Sequence, residues 1–106
     1  MNRKIIEVDL LVVGTGASGM STAVTAAHHG LEVLVVEKEP VYGGTTARSG
    51  GWLWVPGTHL AKEQGIEEPD GAAKAYLKDQ AGTHFDEHRV DAFIENGPKA
   101  VEFFMN

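Results

Sequence analysis

Gly14-Thr15-Gly16-Ala17-Ser18-Gly19 lies between an apolar run and a helix-forming stretch, and the pattern continues through Ala23 and Gly30 to Glu37. A bare G-x-G-x-x-G is weak evidence. Here it has strand, turn, helix and strand around it, with an acid about 20 residues on, and that context makes it a dinucleotide-binding fingerprint. Gly14 permits the tight turn out of the strand. Gly16 lets backbone approach a pyrophosphate, and Gly19 lets the helix pack closely on the strand. The first amides of that helix have no internal partner, and the helix dipole favours an anion there. Ala17 and Ser18 supply two of those amides. Ser18 either donates its hydroxyl to a phosphate or is a solvent-facing residue of the first turn. This reading requires two strands side by side in the same direction and no other element over the helix mouth.

Working outward, residues 5–13 read as a strand, and Leu10-Leu11-Val12-Val13 is the continuous apolar run of a parallel strand buried on both faces. Residues 17–29 read as a helix with Met20, Ala23, Val24 and Ala27 as its apolar stripe. Gly30 follows in the position of a left-handed helix end. Residues 31–37 form the second strand. Glu37 closes that strand, where its carboxylate accepts from a ribose 2′-hydroxyl and repels a 2′-phosphate, which disfavours NADP.

Residues 40–51 form a loop dense in glycine and threonine. Trp52-Leu53-Trp54-Val55 reads as a short strand stopped by Pro56-Gly57, with both tryptophans expected in buried packing rather than against a cofactor. A helix is expected over residues 69–81 with Asp70 as N-cap. Another is expected over residues 86–96, ended by Gly97-Pro98, and a third starts at Pro98. The third carries Ala100, Val101, Phe103, Phe104 and Met105 to the last residue. Two strands do not make a stable sheet. The expectation is an α/β chain: a Rossmann-like βαβ unit followed by a helical segment, the N-terminal part of a larger two-domain protein. The boundaries expected are 1–58 for the dinucleotide-binding unit with its covering loop and 59–106 for the helical segment.

Composition narrows the partners. Nine basic and 15 acidic residues give a net charge of −6, a poor match for nucleic acid or an anionic membrane. With no cysteine, the chain has no disulfide, no thiolate nucleophile and no thioether link to a cofactor. The N-terminal apolar run is interrupted by Glu7 and Asp9 and is too short for a membrane span, so a cytoplasmic protein is expected. Met20 stands where a P-loop needs lysine, and no G-x-S-x-G elbow is present. His84 and His88 lack a third ligand, and no metal site is expected.

The stretch from Glu37-Lys38 through Gly43-Gly44-Thr45-Thr46-Ala47-Arg48-Ser49-Gly50-Gly51-Trp52-Leu53-Trp54-Val55-Pro56 resembles the FAD-binding N-terminus of the fumarate reductase/succinate dehydrogenase flavoprotein superfamily. Within it, the chain is most similar to the 3-ketosteroid dehydrogenases. The resemblance implies FAD rather than NAD, held in part by Gly44, Thr45, Thr46, Ser49, Gly50 and Gly51, with Lys38 near the adenosine. Arg48 is either a phosphate counter-charge or exposed. The implied reaction removes two hydrogens from adjacent carbons of a 3-ketosteroid, a hydride to the flavin and a proton to a tyrosinate-type base. Tyr42 and Tyr76 do not match the family's catalytic tyrosines, so no catalytic residue is assigned, and the steroid-like substrate is expected to bind outside these residues. A fumarate-reductase-like double-bond reductase and a dinucleotide-binding module without catalysis are the alternatives.

Overall fold

Leu10–Val13 (β1) and Val33–Val36 (β2) run parallel, with Leu10 opposite Val33 and Val13 opposite Val36, in the computed structural model, which describes residues 2–106. Ala17–His28 (α1) crosses from one strand to the next. The βαβ unit expected from the fingerprint is therefore present. Both strands are shorter than expected. β2 begins just after the turn at Gly30 (φ +85°), so residues 5–8 have nothing to pair with. Asp9 closes the ladder: its amide donates to Glu32 O, and its carboxylate accepts from the Glu32 amide at 2.8 Å.

The chain divides into two compact units, one ending at Trp52 and one spanning Leu53–Asn106. In the first, Val12 of β1 and Ala23 and Ala26 of α1 form the core. Gly19, Ala23 and Ala26 make one narrow face of small residues, which lets the helix axis approach the strands. That face replaces the expected stripe: Met20, Val24 and Ala27 stay exposed, because two strands cover only part of a helix surface. β1 is likewise buried on one face, not two. Val12 lies under α1, whereas Leu11 and Val13 are exposed. Residues 44–48, expected as loop, form a 3-10 turn.

The second unit is helical. Its segments are His59–Glu63 (α2), Ala72–Ala81 (α3) and Glu87–Met105 (α4), with a 3-10 turn at Gly82–His84. Thr58 caps α2 by accepting from the Ala61 amide. α3 starts later than expected. Its N-cap is Gly71 at φ +79° rather than Asp70, because the amide of Ala72 turns back to the Pro69 carbonyl. Asp86 caps α4 through the Arg89 amide. Lys74 of α3 bridges Glu87 and Asp91 of α4 at 2.9 and 2.8 Å, and these acids, Asp91 foremost, raise its pKa above the ordinary value.

Two further expectations fail from Trp52 onward. Gly97-Pro98 does not separate two helices; α4 runs through it with Pro98 inside. An interior proline loses one hydrogen bond and crowds the residue before it. Gly97, with no Cβ, eases part of that crowding, and α4 continues through both residues. Trp52-Leu53-Trp54-Val55 forms no strand, because no partner pairs with it. Trp52 is 96% exposed, contrary to the buried role expected. Trp54 is half-exposed but lies against Phe93 and Tyr76, at centroid distances of 6.2 and 5.7 Å.

Candidate functional site

The site grows from the turn between β1 and α1. Gly14 has φ +99°, a conformation that disfavours any side chain, and its amide extends the ladder to the Val36 carbonyl at 2.8 Å. Gly16 is the N-cap of α1, in an extended conformation at φ −71°, and its carbonyl accepts from Met20. A Cβ built on Gly16 meets nothing within 4 Å. A Cβ on Gly19 would lie 2.1 Å from the Gly14 carbonyl oxygen. The three glycines therefore divide: Gly14 and Gly19 are needed by the fold, and Gly16 is not.

Ser18 is exposed in the first turn, and its carbonyl accepts from the Thr22 hydroxyl at 2.8 Å. Among the described residues, no acceptor meets the amides of Ser18 and Gly19. The Ala17 amide is different. It donates to the Thr46 hydroxyl at 3.2 Å, so the helix mouth is partly covered by a residue of the glycine-rich turn. This departs from the expectation that nothing lies there. Gly44 comes close as well: a Cβ on it would sit 3.3 Å from Gly16 Cα. The 3-10 turn thus sits beside the opening of α1, covering the Ala17 amide and leaving those of Ser18 and Gly19 open.

Glu37 stands at the end of β2, partly exposed. Its Oε2 accepts from the Thr15 amide at 2.9 Å and from the Thr15 hydroxyl at 2.5 Å. Its Oε1 accepts from the Glu39 amide at 3.2 Å. The Thr15 hydroxyl and then the Glu39 amide hold the carboxyl below its ordinary pKa, so it is an ionised acceptor at neutral pH. Thr15 also accepts, from the Gly43 amide at 3.0 Å. Sequence reasoning overlooked Thr15, which occupies a variable position of the fingerprint, and overlooked Thr46 as a helix cap. No spacing rule identifies either.

The remaining expected residues sit nearby in the chain with less to hold them. Thr45 is exposed on the 3-10 turn. The Ser49 hydroxyl donates to the Thr46 carbonyl and accepts from the Gly51 amide, which fixes the exit of that turn around Gly50. Lys38 and Arg48 are exposed, and Lys38 lies 3.9 Å from Glu39. Among the described residues, no group of three or more histidines or acids is placed to hold a metal ion, and no helix is long and apolar enough to cross a membrane.

Comparison with known proteins places this geometry. The profile of a family described as FAD binding domain matches residues 9–106. The chain is 44% identical over 99 residues to the 3-oxosteroid 1-dehydrogenase of Mycobacterium tuberculosis, covering 93% of this chain and 18% of that one. It is 44% identical over 101 residues to the 4-oxocyclohex-2-ene-1-carboxylate 5-dehydrogenase of Sinomonas cyclohexanicum, covering 95% of this chain and 17% of that one. A crystal structure of 3-ketosteroid delta1-dehydrogenase from Sterolibacterium denitrificans, in complex with 1,4-androstadiene-3,17-dione, superposes with a TM-score of 0.81 at 41% identity, covering 91% of this chain and 17% of that one. The chain thus spans under a fifth of the length of these relatives.

Proposed function

The chain belongs to the FAD binding domain family, and from that membership we propose that it forms the dinucleotide-gripping part of a flavin-dependent dehydrogenase of ring ketones, a 3-ketosteroid or a similar cyclic ketone. FAD is the cofactor of the family. The named relatives support the substrate class, since a 3-oxosteroid and a 4-oxocyclohexene carboxylate are both ring ketones.

One observation carries the cofactor reading. Gly16 has an unstrained φ and open space where its Cβ would stand. Packing within the chain gives no reason for glycine there, whereas close approach of a pyrophosphate does. The residues therefore fit the group. The amides of Ser18 and Gly19, with the α1 dipole behind them, would take the diphosphate, and Ala17 would join them if Thr46 turns its hydroxyl toward the same oxygens. Glu37 would accept from the adenosine ribose, with Lys38 beside it. Gly44, Thr45, Ser49, Gly50 and Gly51 would line the cofactor along the turn. When bound, the flavin supplies the hydride acceptor. This chain's residues bind and orient; proton removal falls to residues not identified among these.

The test is Gly16→Val. Its side chain fills the open approach without straining the backbone, so the apo-protein should fold while flavin is lost. Purified variant that retains stoichiometric FAD would overturn the assignment.

A further inference from the structure

We propose that Thr15 is a positioning residue for the cofactor, its single hydroxyl aiming the Glu37 carboxylate and tying it to the glycine turn at Gly43. The proposal rests on the reading above that Glu37 accepts from the ribose.

Three segments distant in sequence meet on this side chain. Thr15 is only 6% exposed. Its hydroxyl donates to Glu37, 22 residues on, and accepts from the Gly43 amide, 28 residues on. Its own amide donates to the same Glu37 oxygen. A carboxylate offers about four acceptor positions. Thr15 fills two on Oε2, the Glu39 amide takes one on Oε1, and the Lys38 amide approaches more weakly, so an incoming hydroxyl would compete only with these neighbouring amides for Oε1. Fixing one oxygen from behind sets the direction in which the other points. The same hydroxyl anchors the start of the turn that carries Thr46 to the α1 mouth. The ribose acceptor and the pyrophosphate cradle therefore share one hinge atom. A glycine or alanine at this position would satisfy the fingerprint and keep only the amide bond to Glu37.

The experiment is a double-mutant cycle on the full chain, read by quenching of FAD fluorescence as FAD is titrated into apo-protein. Thr15→Val keeps the shape and removes the hydroxyl, and it should weaken FAD binding about tenfold, the loss expected for one hydrogen bond to a charged group. Thr15→Ser restores the hydroxyl and should stay within about threefold of the parent on the same scale. Because Thr15 acts in large part through Glu37, Thr15→Val combined with Glu37→Gln should lose less than the sum of the two single losses, the remainder being the tether to Gly43. Additive losses, or a Thr15→Val affinity equal to the parent's, would overturn the proposal. A Glu37→Gln variant that binds FAD as tightly as the parent would instead overturn the ribose reading beneath it. Thermal melting of each apo-protein separates lost affinity from lost fold, and Thr15→Ala carries the comparison if the valine variant does not fold.

Discussion

Thr15 gives both its amide and its hydroxyl to one carboxylate oxygen of Glu37, joining the β1–α1 turn to the end of β2. The bond has a pH signature. Glu37 is held below the ordinary carboxylate value of 4.5, by the Thr15 hydroxyl first and the Glu39 amide second. A lowered folded-state pKa contributes stability that is present above the unfolded value and is lost as pH falls through the folded one. Glu37→Gln should therefore melt a few degrees below the parent at pH 7. The gap should close as the pH drops below 4.5. Thermal melts at a series of pH values check this. A gap that stays constant down to acid pH would mean the charge on Glu37 contributes nothing.

The fingerprint glycines should separate by experiment as they do by geometry. Gly19→Ala puts a methyl 2.1 Å from the Gly14 carbonyl oxygen, a backbone atom that cannot swing aside. The helix must lift from the strand, at a cost of about 2–4 kcal/mol. Gly16→Ala meets open space at an ordinary φ and should cost less than about 1 kcal/mol, chiefly as a poorer N-cap. Urea unfolding of the two apo-proteins measures both. Equal destabilisation would remove the distinction between a glycine kept for the fold and one kept for a ligand.

The βαβ unit was legible because its glycines, its helix end and its terminal acid stand at fixed spacings that each answer a physical need. What surrounds it was less so. Thr15 fills a position where the pattern accepts any residue, and its role appears only once Glu37 and Gly43 converge on it. The Thr46 cap needs a fold that brings residue 46 back to residue 17. Trp52-Leu53-Trp54-Val55 has the residues of a strand, but strand propensity is realised only against a partner, and Trp52 lies open. Pro98 looked like a boundary because proline usually is one; the glycine before it eases part of the crowding that makes it so.

That last point predicts a stabilising change. Pro98 sits inside a 19-residue helix and removes a hydrogen bond that alanine would restore. Pro98→Ala should stabilise the helical unit by about 1–3 kcal/mol, less any packing lost near Gly57. Gly97→Ala should act the other way. Its Cβ would come 2.8 Å from Val55 Cγ1, so Val55 would have to move. Far-UV circular dichroism through a thermal melt resolves both signs. A Pro98→Ala variant that loses helix would show that the proline is required by the packing.

Thr46 offers the most direct view of the helix mouth. In this structure its hydroxyl accepts from the Ala17 amide at 3.2 Å, an exposed bond worth about 0.5–1.5 kcal/mol at most. Thr46→Val should therefore barely change stability, yet it should shift the Ala17 amide resonance, because that donor loses its acceptor. FAD added to the parent should shift the same resonance, together with that of Ser18, because a diphosphate is a stronger acceptor than a hydroxyl. In Thr46→Val the FAD affinity should fall by about threefold to tenfold, as one neutral donor to the diphosphate is lost. Proton–nitrogen correlation spectra read the shifts, and flavin fluorescence reads the affinity. Ala17 and Ser18 amides that stay put as FAD saturates the protein would mean that the diphosphate does not lie at the opening of α1, whatever holds the rest of the cofactor.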